Sequence, residues 1–339
     1  MFVSSVLSRI SVLVLGAALA VSAGAASRIK LGTLVPVGTS YHTSLKKMGE
    51  AWKKESGGKV NLTIFAGGKL GGEAEMVGLM QVNSLQAALL TGVGLSEIEP
   101  GVAGLQNIPM GFHSMAEVDY VGTRLRPMLE ARMEQKGFVV LFWVDPGWVR
   151  FFTKAPVATP EDLRKMKLFS WSGNPGQVEL YKSAGFDAVP LETADIVPSL
   201  QTGLIDAVPL PPFYAMAAQV DTRAPHMLDL NWAPLVGALV VRKETWEALP
   251  AQDRAEMLAS AAAAGVEITA TGRREMDESV AAMEQRGLQV TRPSREQVLE
   301  WRAVAEPVYP EIRGKLVPAD IFDETMRLLA EYRAQHPEP

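Results

Sequence analysis

Residues 27–65 read SRIKLGTLVPVGTSYHTSLKKMGEAWKKESGGKVNLTIF, and this stretch decides the fold class. Ser27 to Leu34 alternates in polarity like a strand, and the turn that follows ends at Ser40, whose hydroxyl stands where a helix begins. Tyr41 to Glu55 has apolar residues at spacings of three and four, which predicts a helix with one buried stripe. Lys59 to Phe65 alternates again. The order strand, helix, strand predicts an α/β protein.

The same order continues along the chain. Periodicity predicts further strands at Leu85 to Thr91, Phe138 to Trp143, Lys167 to Trp171, Ala188 to Leu191, Ile205 to Val208 and Val236 to Arg242. It predicts helices at Glu73 to Val82, Ala116 to Lys136, Pro175 to Ala184, Thr193 to Thr202, Ala251 to Gln285, Ser294 to Ala305 and Ala319 to Ala334. At about 1.5 Å per residue, the helix that begins at Ala251 would be ~50 Å long, enough to bridge two lobes.

The composition of the chain excludes several classes of function. The chain has 339 residues, of which 47% are hydrophobic, and its formal net charge is −5, which argues against a broad nucleic-acid surface. It has no cysteine, which excludes disulfides, thiolate metal sites and a cysteine nucleophile. The four histidines are scattered, no G-x-S-x-G motif occurs, and the glycine-rich segment Gly67 to Gly72 lacks the residues of a phosphate loop. We therefore predict no catalytic residue, metal site or cofactor.

The N-terminus has the pattern of an export signal. Arg9 precedes an apolar run from Ile10 to Val21, and small residues follow at 23–26. The alternative is an uncleaved membrane anchor, but the run is shorter than the roughly 20 residues that span a bilayer. We predict a signal peptide over residues 1–26 and a periplasmic protein.

Aromatic residues follow several predicted strands, where a core role is less expected than within a helix stripe. They are Tyr41 at the first helix start, Trp143 and Trp148 around a proline turn, Phe169 with Trp171, and Phe213 with Tyr214. In open α/β sheets, ligands bind outside the carboxyl ends of strands, so these side chains could line one cleft. The alternative is ordinary packing in the core or between lobes.

Four stretches, in this order and spacing, are similar to those of a known family. They are GGKLGGEAEM at 67–76, Asn107-Ile108-Pro109 with Gly111-Phe112, Phe151-Phe152-Thr153 with Thr159 to Leu163, and LQTGLIDA at 200–207. With them the sequence resembles, over residues 29–332, the extracytoplasmic solute receptors of tripartite ATP-independent periplasmic (TRAP) transporters. The resemblance implies a two-lobed, type II-like periplasmic binding protein fold with crossing strands and a long lobe-spanning helix. We expect lobe I to comprise 27–150 plus 236–275, lobe II 151–235 plus 276–334, and a ligand cleft between them.

Two departures from the family pattern concern the ligand. The family's arginine, which grips the carboxylate of an organic acid, is replaced here by Phe169, and a ligand-facing asparagine is replaced by Leu210. A carboxylate taken from water into a closed cleft costs several kcal/mol unless a cation pairs with it. About 200 Å² of buried apolar solute surface would instead contribute ~5 kcal/mol without any salt bridge. The two replacements favour an apolar or amphipathic solute.

The sequence therefore predicts a receptor, not an enzyme, for a hydrophobic or amphipathic solute. The predicted ligand contacts are Tyr41, Trp148, Arg150, Phe169, Trp171, Leu210, Phe213 and Tyr214. Arg150 would anchor a polar end of the solute, or would form a structural ion pair. The resemblance implies TRAP membrane permease subunits as partners, and a helical-repeat periplasmic protein is a candidate further partner. Three competing functions stay open at this point: a conventional organic-acid receptor with a different cation, a periplasmic hydrolase, and a scaffold that has lost solute binding.

Overall fold

The computed structural model describes residues 27–337, so the predicted signal peptide lies outside the described residues. The strands are β1 (Ser27–Thr33), β2 (Val60–Phe65), β3 (Ala87–Thr91), β4 (Phe138–Thr153), β5 (Lys167–Trp171), β6 (Asp187–Leu191), β7 (Ala207–Leu210), β8 (His226–Arg242) and β9 (Gln289–Thr291). The helices are α1 (Ser40–Glu55), α2 (Glu73–Gln81), α3 (Gly92–Ile98), α4 (Met115–Gln135), α5 (Pro160–Arg164), α6 (Pro175–Ser183), α7 (Ile196–Thr202), α8 (Pro212–Ala217), α9 (Lys243–Glu247), α10 (Ala251–Gln285), α11 (Arg295–Ala305), α12 (Tyr309–Ile312) and α13 (Ala319–Gln335). Short 3-10 turns lie at Pro100–Leu105, Thr193–Asp195, Val220–Thr222 and Glu306–Val308. Within residues 27–337, no helix has both the length and the apolar composition that crossing a bilayer requires.

The described strands form one mixed sheet, which confirms the predicted α/β class. Its order is β2-β1-β3-β8-β4-β7-β5-β6, with β9 beside β8. β1 pairs in parallel with β2 and β3, and β5 pairs in parallel with β6 and β7. The long strands β4 and β8 pair antiparallel between these two groups. They are the crossing strands that connect the two halves of the molecule.

β4 is much longer than the predicted strand, which ended at Trp143. The residues Asp145-Pro146-Gly147 were expected to form a turn, but β4 absorbs them as a register shift against β8 between Val144 and Gly147. Gly147 has φ of +138°, a conformation that only glycine adopts without strain. Trp148 therefore lies within the strand rather than in a loop.

Two arginines hold this irregular part of β4. The Asp145 side chain is only 5% exposed, and its Oδ2 lies 2.5 Å from Nη2 of Arg126 on α4. Its Oδ1 lies 2.7 Å from Nη2 of Arg273 on α10. Arg273 also pairs with Asp119, which is half exposed. The buried Asp145 carboxylate thus connects this irregular part of β4 to α4 and to α10.

The helix α10 has the predicted bounds and contacts apolar clusters in both halves of the protein. Met257 and Ile268 are buried in the cluster that holds Trp52 of α1. Met283, near the other end of the helix, is buried in the cluster that holds Phe152 and Leu200. One continuous helix therefore packs against both groups of strands, as the sequence predicted.

The last helix packs against α4. Residues 276–334 were predicted to belong to lobe II and α4 to lobe I, and the contact joins two segments that were predicted to lie in different lobes. Leu329 is buried in the cluster that contains Leu125, and Arg333 Nε lies 2.7 Å from Glu117 Oε1. The sequence shows that α13 has an apolar stripe, but a stripe does not specify which surface it covers. The remaining lobe bounds stay predictions.

The substitution Gly272→Ala is expected to lower the free energy of unfolding by about 1–3 kcal/mol. A Cβ at position 272 would overlap the Tyr41 hydroxyl and Pro146 Cβ, and it would lie 3.1 Å from Pro146 Cα. The matched control is Gly78→Ala in α2, where a Cβ meets nothing within 4 Å, and this change should be neutral or stabilising. Chemical denaturation measures both. Equal effects of the two substitutions would contradict the close packing of α10 on β4.

Candidate functional site

A cavity of about 150 Å³ lies where strand ends from both halves of the sheet meet the crossing strands. Thr33, Thr91, Trp171 and Leu210, the last residues of β1, β3, β5 and β7, all line it. The middle of β4 and β8 supplies further lining, including Trp232. An engineered apolar cavity of about this size in another protein binds small apolar molecules, of which benzene is one example. The site thus lies at the carboxyl ends of parallel strands, as expected for an open α/β sheet.

Five of the predicted contact residues line this cavity together: Tyr41, Trp171, Leu210, Phe213 and Tyr214. The rings of Tyr41 and Phe213 meet edge to face with their centroids 4.4 Å apart. The Trp171 indole nitrogen donates a hydrogen bond to Thr193 Oγ1 at 3.2 Å, which fixes the orientation of the ring. Phe213 and Tyr214 lie in the short helix α8, which begins at Pro212 and was not predicted.

Phe169 and Trp148 do not line the cavity. Phe169 is completely buried, and its ring stands edge-on to Trp171 at 5.0 Å. Both rings are on one face of β5, but Phe169 is two residues farther from the strand end and lies in the core beneath Trp171. Trp148 is 8% exposed and packs in the apolar cluster that contains Phe112.

Arg150 is also absent from the cavity lining, although its neighbour Val149 belongs to it. Arg150 Nε lies 2.9 Å from Asp229 Oδ1, and Nη1 donates to the Leu230 carbonyl at 3.3 Å. Burial lowers the pKa of Arg150, while Asp229 acts in the other direction. Arg150 thus forms a structural ion pair, the second of the two roles that its position suggested.

Glu73 is a cavity residue that the sequence analysis missed. It begins α2, is 7% exposed, and accepts hydrogen bonds from Thr91 N at 2.7 Å, Thr91 Oγ1 at 2.6 Å and Gly94 N at 2.9 Å. Burial raises the pKa of Glu73. Its position after the Gly71-Gly72 turn, at a helix start, was the available signal, but most carboxylates at helix starts are solvated caps.

The electrostatic character of the site is acidic. Glu73 is the one ionisable Asp, Glu, Lys, Arg or His among the described residues that line the cavity. A small recess beside Trp171 adds Glu97 and Glu192, again with no basic residue in the described part of its wall. Burial raises the pKa of Glu192, and the charges of Glu75 and Asp195 raise it further. The described surface therefore offers no cation to pair with an anionic solute.

Uncharged polar side chains also line the cavity, among them Gln106, Asn107 and Gln177. Gln106 Oε1 is used by the backbone, since it accepts from Val236 N at 3.0 Å. Asn107 Nδ2 and the Tyr41 hydroxyl are buried and have no hydrogen-bond partner among residues 27–337. Asn107 belongs to the Asn-Ile-Pro stretch of the family resemblance, but nothing in that stretch indicates that its side chain faces a cavity.

Sequence relatives agree with the family resemblance. The model of the DctP family, bacterial extracellular solute-binding protein family 7, matches residues 31–315. The 2,3-diketo-L-gulonate-binding periplasmic protein YiaO of Escherichia coli is 25% identical over 255 residues, which cover 74% of this chain and 76% of YiaO. The C4-dicarboxylate-binding periplasmic protein DctP of Rhodobacter capsulatus is 23% identical over 295 residues, or 85% of this chain and 87% of DctP.

The fold is similar to that of solved TRAP receptors. A TRAP periplasmic solute-binding protein of Ralstonia eutropha, crystallised with bound (S)-2-acetolactate, superposes with a TM-score of 0.83 at 19% sequence identity. The match covers 90% of this chain and 99% of that protein. The two-lobed periplasmic binding protein fold predicted from the sequence is thereby confirmed.

Proposed function

The chain belongs to family 7 of the bacterial extracellular solute-binding proteins, the receptors of TRAP transporters, and on this premise we propose that its solute is hydrophobic or amphipathic. Receptors of this family are periplasmic, bind small solutes, are not enzymes, and work with membrane permease subunits. The proposal concerns the class of solute in the cavity between the crossing strands and the strand ends. Closure of the lobes around the solute would present the loaded receptor to the permease.

One observation carries the proposal: the cavity is lined by hydrocarbon and rings and has no basic residue in its described lining. An ionised carboxylate in such a site would lose its hydration without gaining a partner, at a cost of several kcal/mol. Glu73, the one acidic residue of the described lining, supplies no positive charge to offset that cost. An apolar solute gains free energy from the same surface, since each Å² removed from water contributes about 25 cal/mol.

The competing candidate is an organic-acid receptor, and the relatives favour it. YiaO and DctP are named for acids, and the Ralstonia protein was crystallised with one. In this chain, however, Phe169 and Leu210 occupy the positions at which the family places its arginine and asparagine. Arg150, a candidate substitute cation, is paired with Asp229 and does not line the cavity. We therefore rank the acid receptor second.

A hydrolase and a scaffold that has lost solute binding both have less support. The matched relatives are solute receptors, and none of them is named as a hydrolase. A scaffold without a solute would have no need of an open, ring-lined cavity at the strand ends. The helical-repeat periplasmic partner stays a prediction.

The test is a thermal-shift panel on protein freed of co-purified molecules by reversible unfolding. We expect eight- to ten-carbon apolar and amphipathic compounds to raise the melting temperature, because a ligand that binds only the native state stabilises it. Succinate, acetolactate and gulonate are expected to leave it unchanged. The opposite result, stabilisation by the small acids alone, would reject the proposal in favour of the acid receptor. Mass spectrometry of the molecules that co-purify identifies the natural solute class directly.

A further inference from the structure

The small acidic recess beside Trp171 has walls from both halves of the protein. α2 and α3, which pack with the first group of strands, contribute Glu73 and Glu97 to it. β5 and the segment that follows β6 contribute Trp171 and Glu192. Trp171 and Glu73 also line the main cavity. The recess therefore lies at an edge of the cavity where the two halves come together.

Glu192 contacts the beginning of α2. A Cβ added to Gly72, the residue before α2, would overlap Glu192 Oε2 and would lie 2.8 Å from Glu75 Oε2. Close by, a Cβ at Gly173 would lie 3.5 Å from Ala74 Cβ. Two carboxylate oxygens, one from each half, thus approach the same point of a closely packed contact.

The charges around this contact are all negative. α2 has Glu73 and Glu75 in its first turn, so its positive end already has two carboxylates before Glu192 approaches. α3 adds Glu97, and Asp195 follows Glu192 on the same 3-10 turn. No Lys, Arg or His is among the described residues of the recess. Burial raises the pKa of Glu192, and the neighbouring carboxylates raise it further, because a like charge disfavours the ionised form.

Closure of the two halves affects only part of this repulsion. Asp195 belongs to the same turn as Glu192 and stays beside it whether the halves are closed or apart. Glu73 is held within the other half by hydrogen bonds from the 91–94 segment. Glu75 lies on α2, so its distance from Glu192 depends on how far the halves have closed. The repulsion between Glu75 and Glu192 is therefore a cost of closure.

We propose that Glu75 and Glu192 form a like-charge contact at the edge of the cleft that opposes closure, so that the receptor holds its solute more tightly as the pH falls. Protonation of Glu192 removes the repulsion from the closed form. A carboxyl whose pKa is higher in the closed form than in the open form takes up a proton on closure. The affinity therefore has its full value near and below the ordinary pKa of glutamate, about 4.3, and declines as the pH rises through the higher pKa of the closed form. The inference concerns closure and applies to either class of solute.

The test compares solute affinity at pH 5 and at pH 8 for the wild type, Glu192→Gln and Glu75→Gln by isothermal titration calorimetry. The probe is 2-octanone, and gulonate replaces it if the receptor binds acids, since neither compound changes its charge between these pH values. We expect the wild type to bind about two- to fivefold more weakly at pH 8 than at pH 5, the range that a partly exposed charge pair supplies. Each variant should bind at pH 8 nearly as tightly as the wild type does at pH 5. Glutamine at position 192 retains an oxygen that accepts the hydrogen bond from the Ser172 hydroxyl.

Two further variants show whether the effect belongs to this pair. The double variant of Glu75 and Glu192 should bind no more tightly than either single variant, because both substitutions remove the same repulsion. Asp195→Asn is the matched control, since it removes a carboxylate from the turn of Glu192 that does not cross between the halves. It should leave the affinity at pH 8 unchanged.

The outcomes separate this inference from the proposed function. The inference is overturned if the wild-type affinity is the same at both pH values or if the pH dependence survives in Glu192→Gln, as it would if Glu73 in the cavity were its source. An equal gain from Asp195→Asn, or additive gains in the double variant, would also overturn it, and none of these results bears on the solute class. Binding of gulonate without binding of 2-octanone would reject the hydrophobic solute, while the variants compared with gulonate still decide the role of the pair. Binding of neither probe to any variant would overturn both proposals.

Discussion

Leu210→Arg is expected to weaken the binding of uncharged eight-carbon solutes by about 100-fold or more. Leu210 is the last residue of β7, is 2% exposed, and lines the cavity. A guanidinium at this position would lose its hydration against hydrocarbon whenever an apolar solute fills the cavity, and a penalty of about 3 kcal/mol corresponds to the stated factor. The same variant is expected to gain weak binding of succinate, because it supplies the cation that the described lining lacks. Calorimetric titrations with 2-octanone and with succinate measure both effects.

The matched control is Leu210→Met, which nearly conserves volume and adds no charge. It should change affinity for 2-octanone only slightly. If Leu210→Arg binds 2-octanone as the wild type does, this cavity is not the solute site. Phe169, which the family resemblance predicts at the position of the family's arginine, is unsuited to this experiment. It is fully buried beneath Trp171, so a charge there would disturb folding rather than binding.

Asp145→Ala is expected to lower the free energy of unfolding by about 3–5 kcal/mol. Its side chain is 5% exposed and contacts Arg126 and Arg273 within the crossing region of β4. Removal of the carboxylate leaves two partly buried guanidinium groups without their shared partner. It also frees the irregular part of β4 from α4 and α10. Denaturant unfolding followed by circular dichroism measures the loss.

Asp119→Ala is the control for this prediction, because Asp119 binds the same Arg273 from an exposed position. Its side chain is 51% exposed, and pairs of this kind contribute at most about 1 kcal/mol. Similar losses for the two variants would show that Asp145 is no more important to the crossing strands than an ordinary surface charge. A change in the slope of the denaturation curve would indicate that the two halves no longer unfold together.

The sequence alone predicted the bounds of a helix or strand wherever the residues of that element show its periodicity. The bounds of β5 and α10 were predicted to the residue, and those of α1, α2 and α4 to within one residue. Each of these helices has an apolar stripe, and β5 shows the alternation of a strand. Helices and strands that depend on pairing or packing with distant residues were harder to predict from the sequence. α8 was not predicted. β4 and β8 were predicted at less than half their length, since pairing across the crossing region stabilises residues that look like turns.

The residues of the candidate site likewise fall into those that the sequence singled out and those that only the structure shows. Trp171 and Phe213, which the sequence singled out as aromatic residues after strands, both line the cavity, because the carboxyl ends of parallel strands share one edge of a sheet. Phe169, like Trp171, is an aromatic residue of β5, but it lies two residues farther from the end of the strand. The residue type alone does not show which of the two rings reaches the cavity. Asn107 and Glu73 reach the cavity only because distant segments fold beside it.

By itself, the sequence determined the α/β class and the family, because both follow from the identity and order of the residues. Only the tertiary structure decided which side chains share the cavity, that Arg150 pairs with Asp229 rather than facing a solute, and that α13 covers α4. The physical reason is that secondary structure follows from neighbours three or four residues away. A binding site, by contrast, depends on strand register and on which apolar faces come together across the chain.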